Sequence, residues 1–314
     1  MDMVRPLSVM LRRALFMLVV LGLFVSTGFL WSATGRGQTQ IKPESTVKPT
    51  VKITTQPISA SANSSSPFSE AAGKNVMFRN ELSWTFGGKE QRGWSLYDLL
   101  IGKTLDTQSG FDSGDFAATL SAWQRRRGLS NSGVLDEESL MAMIAQWQGD
   151  RLKDRTPAQP DQLLTAPATD FYDPARLEEL RQVERNTYAA YKQMIAAAIA
   201  DPSLKLAHTD KTELAPTENF FKIVSAFRSR EYQEELRRRS PNAGSAGLAV
   251  NSPHFTGRAL DLYVGGDPVD TKDSNRAMQV NSPAYKWLVR NAGRFGFRPY
   301  FYEPWHWEYV PAGK

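Results

Sequence analysis

The chain has 314 residues, more than one ordinary compact domain needs, which predicts two folded units with tails. Its 41% hydrophobic and 23% charged residues are typical of a globular protein, and a net charge of +5 is too small a bias to indicate a nucleic-acid-binding protein. The absence of cysteine excludes disulfide bonds, thiol catalysis and lipid attachment through a cysteine.

Residues 1–33 are predicted to be a signal or anchor segment. Three arginines precede an apolar run from Ala14 to about Trp31. Positive charges before an apolar segment direct the following chain outward across a membrane. The run is close to the ~20 residues that span a bilayer, which favours an uncleaved anchor over a cleaved signal peptide. We therefore expect an extracytoplasmic protein of the cell envelope, on the periplasmic side, anchored to the inner membrane or secreted.

Residues 34–75 are predicted to be a disordered linker. They are rich in Thr, Ser, Pro, Lys and Gln and contain few large apolar side chains. Such a composition cannot bury enough apolar surface to offset the entropy cost of ordering the chain. The linker would carry the folded parts away from the membrane.

Residues 76–150 are predicted to form a separate small helical domain. Apolar residues recur at helical spacing from Phe116 to Trp123, and Gly128 is expected to end this helix. Asp136 is placed to cap a second helix. This block of helices and turn glycines resembles the three-helix peptidoglycan-binding domain, which implies binding to the cell wall. A helical spacer that binds no ligand is the alternative.

Residues 151–170 contain three prolines and are predicted to be a second polar linker. The Asp173-Pro174 pair then has the pattern of a helix N-cap followed by proline, and predicts a helix that continues to Ile199.

From Phe220 onward, short strand and helix patterns alternate irregularly. We therefore predict an α+β domain over residues 171–314, with a small antiparallel sheet flanked by helices. Strands are expected near residues 223–227, 258–263, 300–302 and 307–310, and helices over residues 231–239 and 284–294.

Two short motifs near the C-terminus indicate the chemistry. They are Ser252-Pro253-His254-Phe255-Thr256-Gly257-Arg258-Ala259-Leu260-Asp261 and Glu303-Pro304-Trp305-His306. His254, Asp261 and His306 are candidate zinc ligands, because a chain without cysteine must use nitrogen and oxygen donors. Three protein ligands leave an open position for water, which is typical of a catalytic zinc site. A turn at Gly257 followed by a strand would bring His254 and Asp261 together.

Glu303 is the candidate general base. Pro304 restricts the backbone between Glu303 and His306, which favours a defined relative geometry. Zinc would lower the pKa of a water at the open position towards ~7 and polarise the scissile carbonyl. Glu303 would accept a proton from that water and deliver it to the leaving amine.

With these motifs, residues 220–310 resemble the D-alanyl-D-alanine carboxypeptidases of the VanY type, zinc peptidases that share the hedgehog-like fold. The resemblance implies that His254, Asp261 and His306 bind zinc and that Glu303 is the catalytic base. The run from Ser225 to Ser229, followed by Gln233, is similar to another segment of this family. It implies substrate binding by Arg228, Gln233 and Ser252. Arg228 would also act in catalysis, because a guanidinium can bind a substrate carboxylate or a developing oxyanion.

The predicted function is therefore a zinc-dependent carboxypeptidase that removes the terminal D-alanine from peptidoglycan stem peptides. The expected partners are stem peptides and, through the N-terminal segment, a membrane, but no nucleic acid. Three alternatives remain open. Two are a peptidoglycan endopeptidase and an L,D-carboxypeptidase on the same scaffold, and the third is a non-catalytic protein that binds the cell wall.

Overall fold

The computed structural model describes residues 68–210, 212–239 and 251–311. The predicted signal or anchor segment and the linker up to residue 67 lie outside these described residues. Among the residues described, no helix is both long and apolar enough to cross a membrane.

The first described segment contains helices and a short hairpin. Its elements are α1 (Ser69–Glu81), β1 (Ser83–Phe86), β2 (Lys89–Arg92), α2 (Asp98–Leu105), α3 (Gly114–Arg126) and α4 (Glu137–Gly149). The predicted cap is present, because the side chain of Asp136 accepts a hydrogen bond from the start of α4. The side chain of Ser113, which was not predicted, accepts one in the same way from the start of α3. The antiparallel β1–β2 hairpin was not predicted.

Helix α1 begins inside the stretch that composition assigned to the disordered linker. The reason is a tertiary contact at Asn75, which is fully buried. Its amide donates to the carbonyl of Gly133 at 2.9 Å and accepts from the backbone N–H of Leu135 at 2.7 Å. These bonds attach α1 to the turn before α4, a partner that local composition does not reveal.

Residues 151–170 were predicted as a linker, but they pack against the rest of the chain. Leu152 is buried, and β3 (Leu163–Thr165) pairs antiparallel with β4 (Gln182–Glu184). A strand of three residues is too short to give a periodic pattern in the sequence. The polar composition of residues 151–170 therefore predicted a linker.

The helix expected to follow Asp173 begins eleven residues later, as α5 (Arg185–Ile199) with Glu184 as its N-cap. The carboxylate of Glu184 caps it by accepting hydrogen bonds from the backbone N–H of Thr187 at 2.8 Å and from its hydroxyl at 2.7 Å. Asp173 instead accepts a bond from the N–H of Ala175 at 3.0 Å and forms a turn. An Asp-Pro pair can therefore accept the same kind of backbone hydrogen bond in a turn as at the start of a helix.

The central feature of the C-terminal part is a four-stranded antiparallel sheet in the order β5-β6-β8-β7. Its strands are β5 (Ile223–Ser225), β6 (Ala259–Leu262), β7 (Phe297–Tyr300) and β8 (Glu303–Tyr309). The accompanying helices are α6 (Arg230–Arg239), α7 (Asp273–Asn281) and α8 (Pro283–Asn291). The predicted α+β class, a small antiparallel sheet with helices, is confirmed.

The helical segment and the sheet share one hydrophobic core. All the described residues belong to one compact unit, and a single buried cluster contains side chains from both parts. The ring of Phe301, just before β8, lies 5.4 Å from the ring of Tyr97 and 6.0 Å from that of Trp147, measured between centroids. The side chains before the second motif are therefore packed against the helical segment. The predicted domain boundaries stay a prediction.

Candidate metal centre

The turn that carries His254 has the geometry expected from the first motif. Residues Pro253–Thr256 form a 3-10 turn that Ser252 caps and Gly257 ends with φ of +65°. This φ lies in the left-handed region that favours glycine. A Cβ at this position would also lie only 3.0 Å from the backbone nitrogen of Glu184. Gly257 therefore allows both the turn and its close approach to β4.

Strand pairing brings the other two candidate ligands together. Asp261 on β6 and His306 on β8 are directly opposite each other in the antiparallel register. Opposed residues in neighbouring strands project their side chains to the same face of the sheet. Together with His254 they form a fully buried group.

The distances within this group fit a zinc site. Oδ1 of Asp261 lies 2.9 Å from Nδ1 of His306 and 3.3 Å from Nε2 of His254, and the three ligand atoms lie within 4.8 Å of one another. Ligands about 2.0–2.2 Å from a tetrahedral ion are separated by about 3.3–3.6 Å. Small side-chain movements would therefore complete the coordination, and the two-nitrogen, one-oxygen donor set suits zinc.

Hydrogen bonds select the nitrogen that each imidazole offers to a metal. Nδ1 of His254 lies 2.6 Å from the carbonyl oxygen of Ala226. Because a carbonyl only accepts, Nδ1 carries the proton and Nε2 is available as a ligand. His306 is oriented the other way, since its Nε2 lies 3.2 Å from a carboxylate oxygen of Glu308 and its Nδ1 is directed to Asp261.

The charges around the group are strongly perturbed. Burial, together with the neighbouring Arg228 guanidinium, lowers the pKa of His254 to about 4. Burial would also lower the pKa of His306, but its hydrogen bonds to Asp261 and Glu308 raise it to about 9. Burial would raise the pKa of Asp261, but its electrostatic interactions with His254 and Arg228 hold that pKa well below its usual value. Metal binding must therefore displace a proton from His306.

Glu303 belongs to the same electrostatic environment. Burial raises the pKa of its carboxyl group to about 7; the charge on His306 opposes this increase, and that on Asp261 adds to it. Side chains three residues apart on a regular strand point to opposite faces. In β8 the register is irregular, because Pro299 pairs with Trp307 while Tyr300 pairs with Glu303. Such irregularities redirect side chains, and this one lies between Glu303 and Trp307, in the stretch that contains His306.

Arg228 contacts one of the candidate ligands. Its Nη2 donates to Oδ2 of Asp261 at 2.6 Å and its Nε donates to the hydroxyl of Ser225 at 2.9 Å. Since both imidazoles approach Oδ1 of Asp261, ligation through Oδ1 leaves the arginine contact intact. Within the part of the chain that the structure describes, the third nitrogen, Nη1, has only a long contact of 3.5 Å to Gln233, which leaves it available as a donor to a substrate.

The other two predicted substrate-binding residues are buried next to these groups. Gln233 is on α6 and contacts Arg228, as described above. The hydroxyl of Ser252 accepts from the backbone N–H of His254 at 3.3 Å and so caps the turn. Substrate binding by Gln233 and Ser252 stays a prediction.

The sequence analysis missed Glu308 and its arginine partners. Glu308 is two residues after His306, so strand alternation places both side chains on one face of β8. That spacing could have predicted that Glu308 lies beside His306. The partners Arg151 and Arg155 lie more than 150 residues away in sequence, and no pattern connects them with β8.

Fold and site together define a peptidase-like α+β domain with a buried three-ligand metal group. Residues 180–312 match the family model described as VanY, D-alanyl-D-alanine carboxypeptidase. This match confirms the resemblance found in the motifs and the prediction of a metallopeptidase. The buried group of His254, Asp261 and His306 could hold a metal ion such as zinc.

Three solved structures are similar to parts of the chain. The LD-carboxypeptidase LdcB is 21% identical with a TM-score of 0.34, over 50% of this chain and 71% of its own. VanYB in complex with D-alanine-D-alanine is 22% identical with a TM-score of 0.26, over 41% and 72%. The vancomycin resistance D,D-pentapeptidase VanY in complex with Zn(II) is 18% identical with a TM-score of 0.30, over 52% and 89%.

No curated protein matches the sequence. The TM-scores of the three solved structures are too low to support an argument. The similarity to VanY-type peptidases therefore depends on the family match over residues 180–312 and on the residues of the site.

Proposed function

We propose that this protein is a zinc-dependent carboxypeptidase that releases the terminal D-alanine from peptidoglycan stem peptides. The observation that carries the proposal is the buried group of two imidazoles and one carboxylate, with Glu303 nearby, inside the segment that matches the family. A protein that only binds the cell wall has no need of a buried carboxyl group poised for proton transfer.

The chain's own residues have separate roles in this reaction. His254, Asp261 and His306 would hold the zinc ion, which when bound lowers the pKa of water and polarises a carbonyl group. Glu303 has a pKa of about 7, so its carboxylate can accept a proton near neutral pH and then return it to the leaving amine. Arg228 would bind the substrate through Nη1, either at the terminal carboxylate or at the oxyanion that develops on the scissile carbonyl.

Defined stem peptides test this proposal. The purified protein with zinc is incubated with a muramyl pentapeptide, a muramyl tetrapeptide and a cross-linked dimer, and the products are identified by mass spectrometry. Loss of one alanine from the pentapeptide supports D,D-carboxypeptidase activity. Loss from the tetrapeptide would assign L,D-specificity, and cleavage of the dimer an endopeptidase. Zinc-loaded protein that cleaves none of the three would refute the proposal.

We also propose an envelope location, with residues 1–33 in a membrane and residues 76–150 on peptidoglycan. The positive charges before the apolar run and the pattern of helices and turn glycines support these two roles. Fractionation of cells would test the first, and sedimentation of the purified protein with insoluble peptidoglycan the second. Recovery in the cytoplasmic fraction would contradict the location, and protein left in the supernatant would contradict wall binding.

A further inference from the structure

Glu308 is a buried carboxylate to which the proposed reaction gives no role. It is 0% exposed and lies on β8, two residues after the candidate ligand His306. Burying a charge without partners is costly, so the groups that surround it indicate what it does.

Both oxygens of Glu308 are fully engaged. Oε1 lies 3.2 Å from Nε2 of His306 and accepts from Arg155 Nη1 at 3.2 Å and from both Nε and Nη2 of Arg151. Oε2 accepts from the backbone N–H of Leu152 at 2.9 Å. The carboxylate therefore joins the segment after α4 to the imidazole of His306.

Arg151 is itself held in place by two other elements. Its Nη1 donates to the side chain of Gln148 on α4 at 2.7 Å. Its guanidinium lies 4.0 Å from the ring centroid of Tyr300, at the end of β7. An arginine held on both sides in this way cannot follow Glu308 if that side chain rotates, so it fixes one position for the carboxylate.

We propose that Glu308, held by Arg151 and Arg155, is a positioning residue for His306, and that the segment after α4 thereby supports the metal centre. The contact with Glu308 keeps the proton of the neutral imidazole on Nε2 and leaves the Nδ1 lone pair for the metal. It also fixes the plane of the ring, so Nδ1 is directed at the point shared with His254 and Asp261. The inference rests on the metal centre of the proposed function, and extends it to residues outside the family match at 180–312.

A purely structural role for this ion pair would predict lost stability with no specific effect on the metal. The chain contains a matched control in Arg79, whose Nε and Nη2 both donate to Oδ2 of Asp98, at 3.0 and 2.6 Å. That pair has the same donor arrangement as Arg151 with Glu308. It lies within the helical segment and does not contact the ligands.

The test compares Arg151→Gln, Glu308→Gln and the control Arg79→Gln in the full chain. Zinc affinity is measured by competition with a chromophoric chelator, stability of the metal-free protein by chemical unfolding, and ligand geometry by the visible spectrum of the cobalt-substituted protein. We expect zinc to bind about 10–100-fold more weakly to the first two variants, with an altered cobalt spectrum. The control should bind zinc within about twofold of the unchanged protein, because Arg79 bonds to Asp98 and not to a group that contacts a candidate ligand.

Circular dichroism of the metal-free variants distinguishes a loss of folding from a loss of metal binding. If Arg151→Gln does not fold, Arg151→Lys replaces it, with a smaller but measurable loss of affinity expected. Unchanged zinc affinity and cobalt spectra in both site variants would overturn the inference, and so would equal losses in the control. The proposed function fails separately, if the unchanged protein binds zinc yet cleaves no stem peptide.

Discussion

Replacing Glu303 with glutamine tests two properties of this carboxyl group. One is its role in turnover, and the other is the loss of fold stability that its burial causes when it is ionised. In the folded, metal-free protein its pKa is raised from the usual 4.5 to about 7, chiefly by burial. The unfolded chain therefore ionises this group at lower pH than the folded protein does. The resulting destabilisation is absent below pH 4.5, grows as the pH rises, and is complete above pH 7.

The size of the effect follows from the two pKa values. At pH 8 ionisation of Glu303 destabilises the metal-free fold by about 3 kcal/mol, and at pH 5 by less than about 1 kcal/mol. Glutamine cannot ionise, although its buried amide still carries a desolvation cost. The Glu303→Gln variant should therefore be more stable at pH 8 by about 1–3 kcal/mol, and nearly as stable as the unchanged protein at pH 5.

The assay is urea unfolding in the presence of a chelator at both pH values, followed by tryptophan fluorescence. Turnover of the zinc-loaded protein is measured alongside, and should fall by about 10²–10⁴-fold with zinc still bound. Glu178→Gln, at an exposed glutamate, controls for the loss of one negative charge. Equal stability of the variant and the unchanged protein at pH 8 would refute the reasoning about burial. Undiminished turnover would refute the assignment of the base.

Two further predictions concern the metal and the turn. Zinc binding at pH 7.5 should release about one proton, because the pKa of His306 is raised to about 9 in the metal-free protein. Calorimetry in two buffers of different ionisation enthalpy measures this number, and no detectable release would contradict the protonated state of His306. Gly257→Ala should destabilise the fold by about 1–3 kcal/mol, because φ is +65° and the added Cβ meets the backbone of Glu184. Gly149→Ala, which has open space, is the control; equal unfolding midpoints for the two variants would rule out strain at Gly257.

Local sequence was sufficient to predict the α+β class and the candidate ligands. The absence of cysteine limits zinc to nitrogen and oxygen donors, and His254, Asp261 and His306 stand in two recognisable motifs. The turn at Gly257 was also predictable, because its backbone conformation is one that other residues rarely adopt.

Other features depend on contacts between distant parts of the chain. The Asp-Pro pair at residue 173 satisfies its hydrogen bonds in a turn as well as it would at a helix start, and the structure places the helix after Glu184 instead. Helix α1 likewise begins earlier than composition suggested, because Asn75 bonds to residues about 60 positions away.

The sequence alone therefore determined which side chains are candidate metal ligands, since donor chemistry is a property of residue type. Only the tertiary structure decided how they are arranged. It places Asp261 opposite His306 by strand register, and it brings Arg151 to Glu308 across 157 residues. Register and long-range pairing depend on the free energy of the whole fold, and local preferences cannot encode either one.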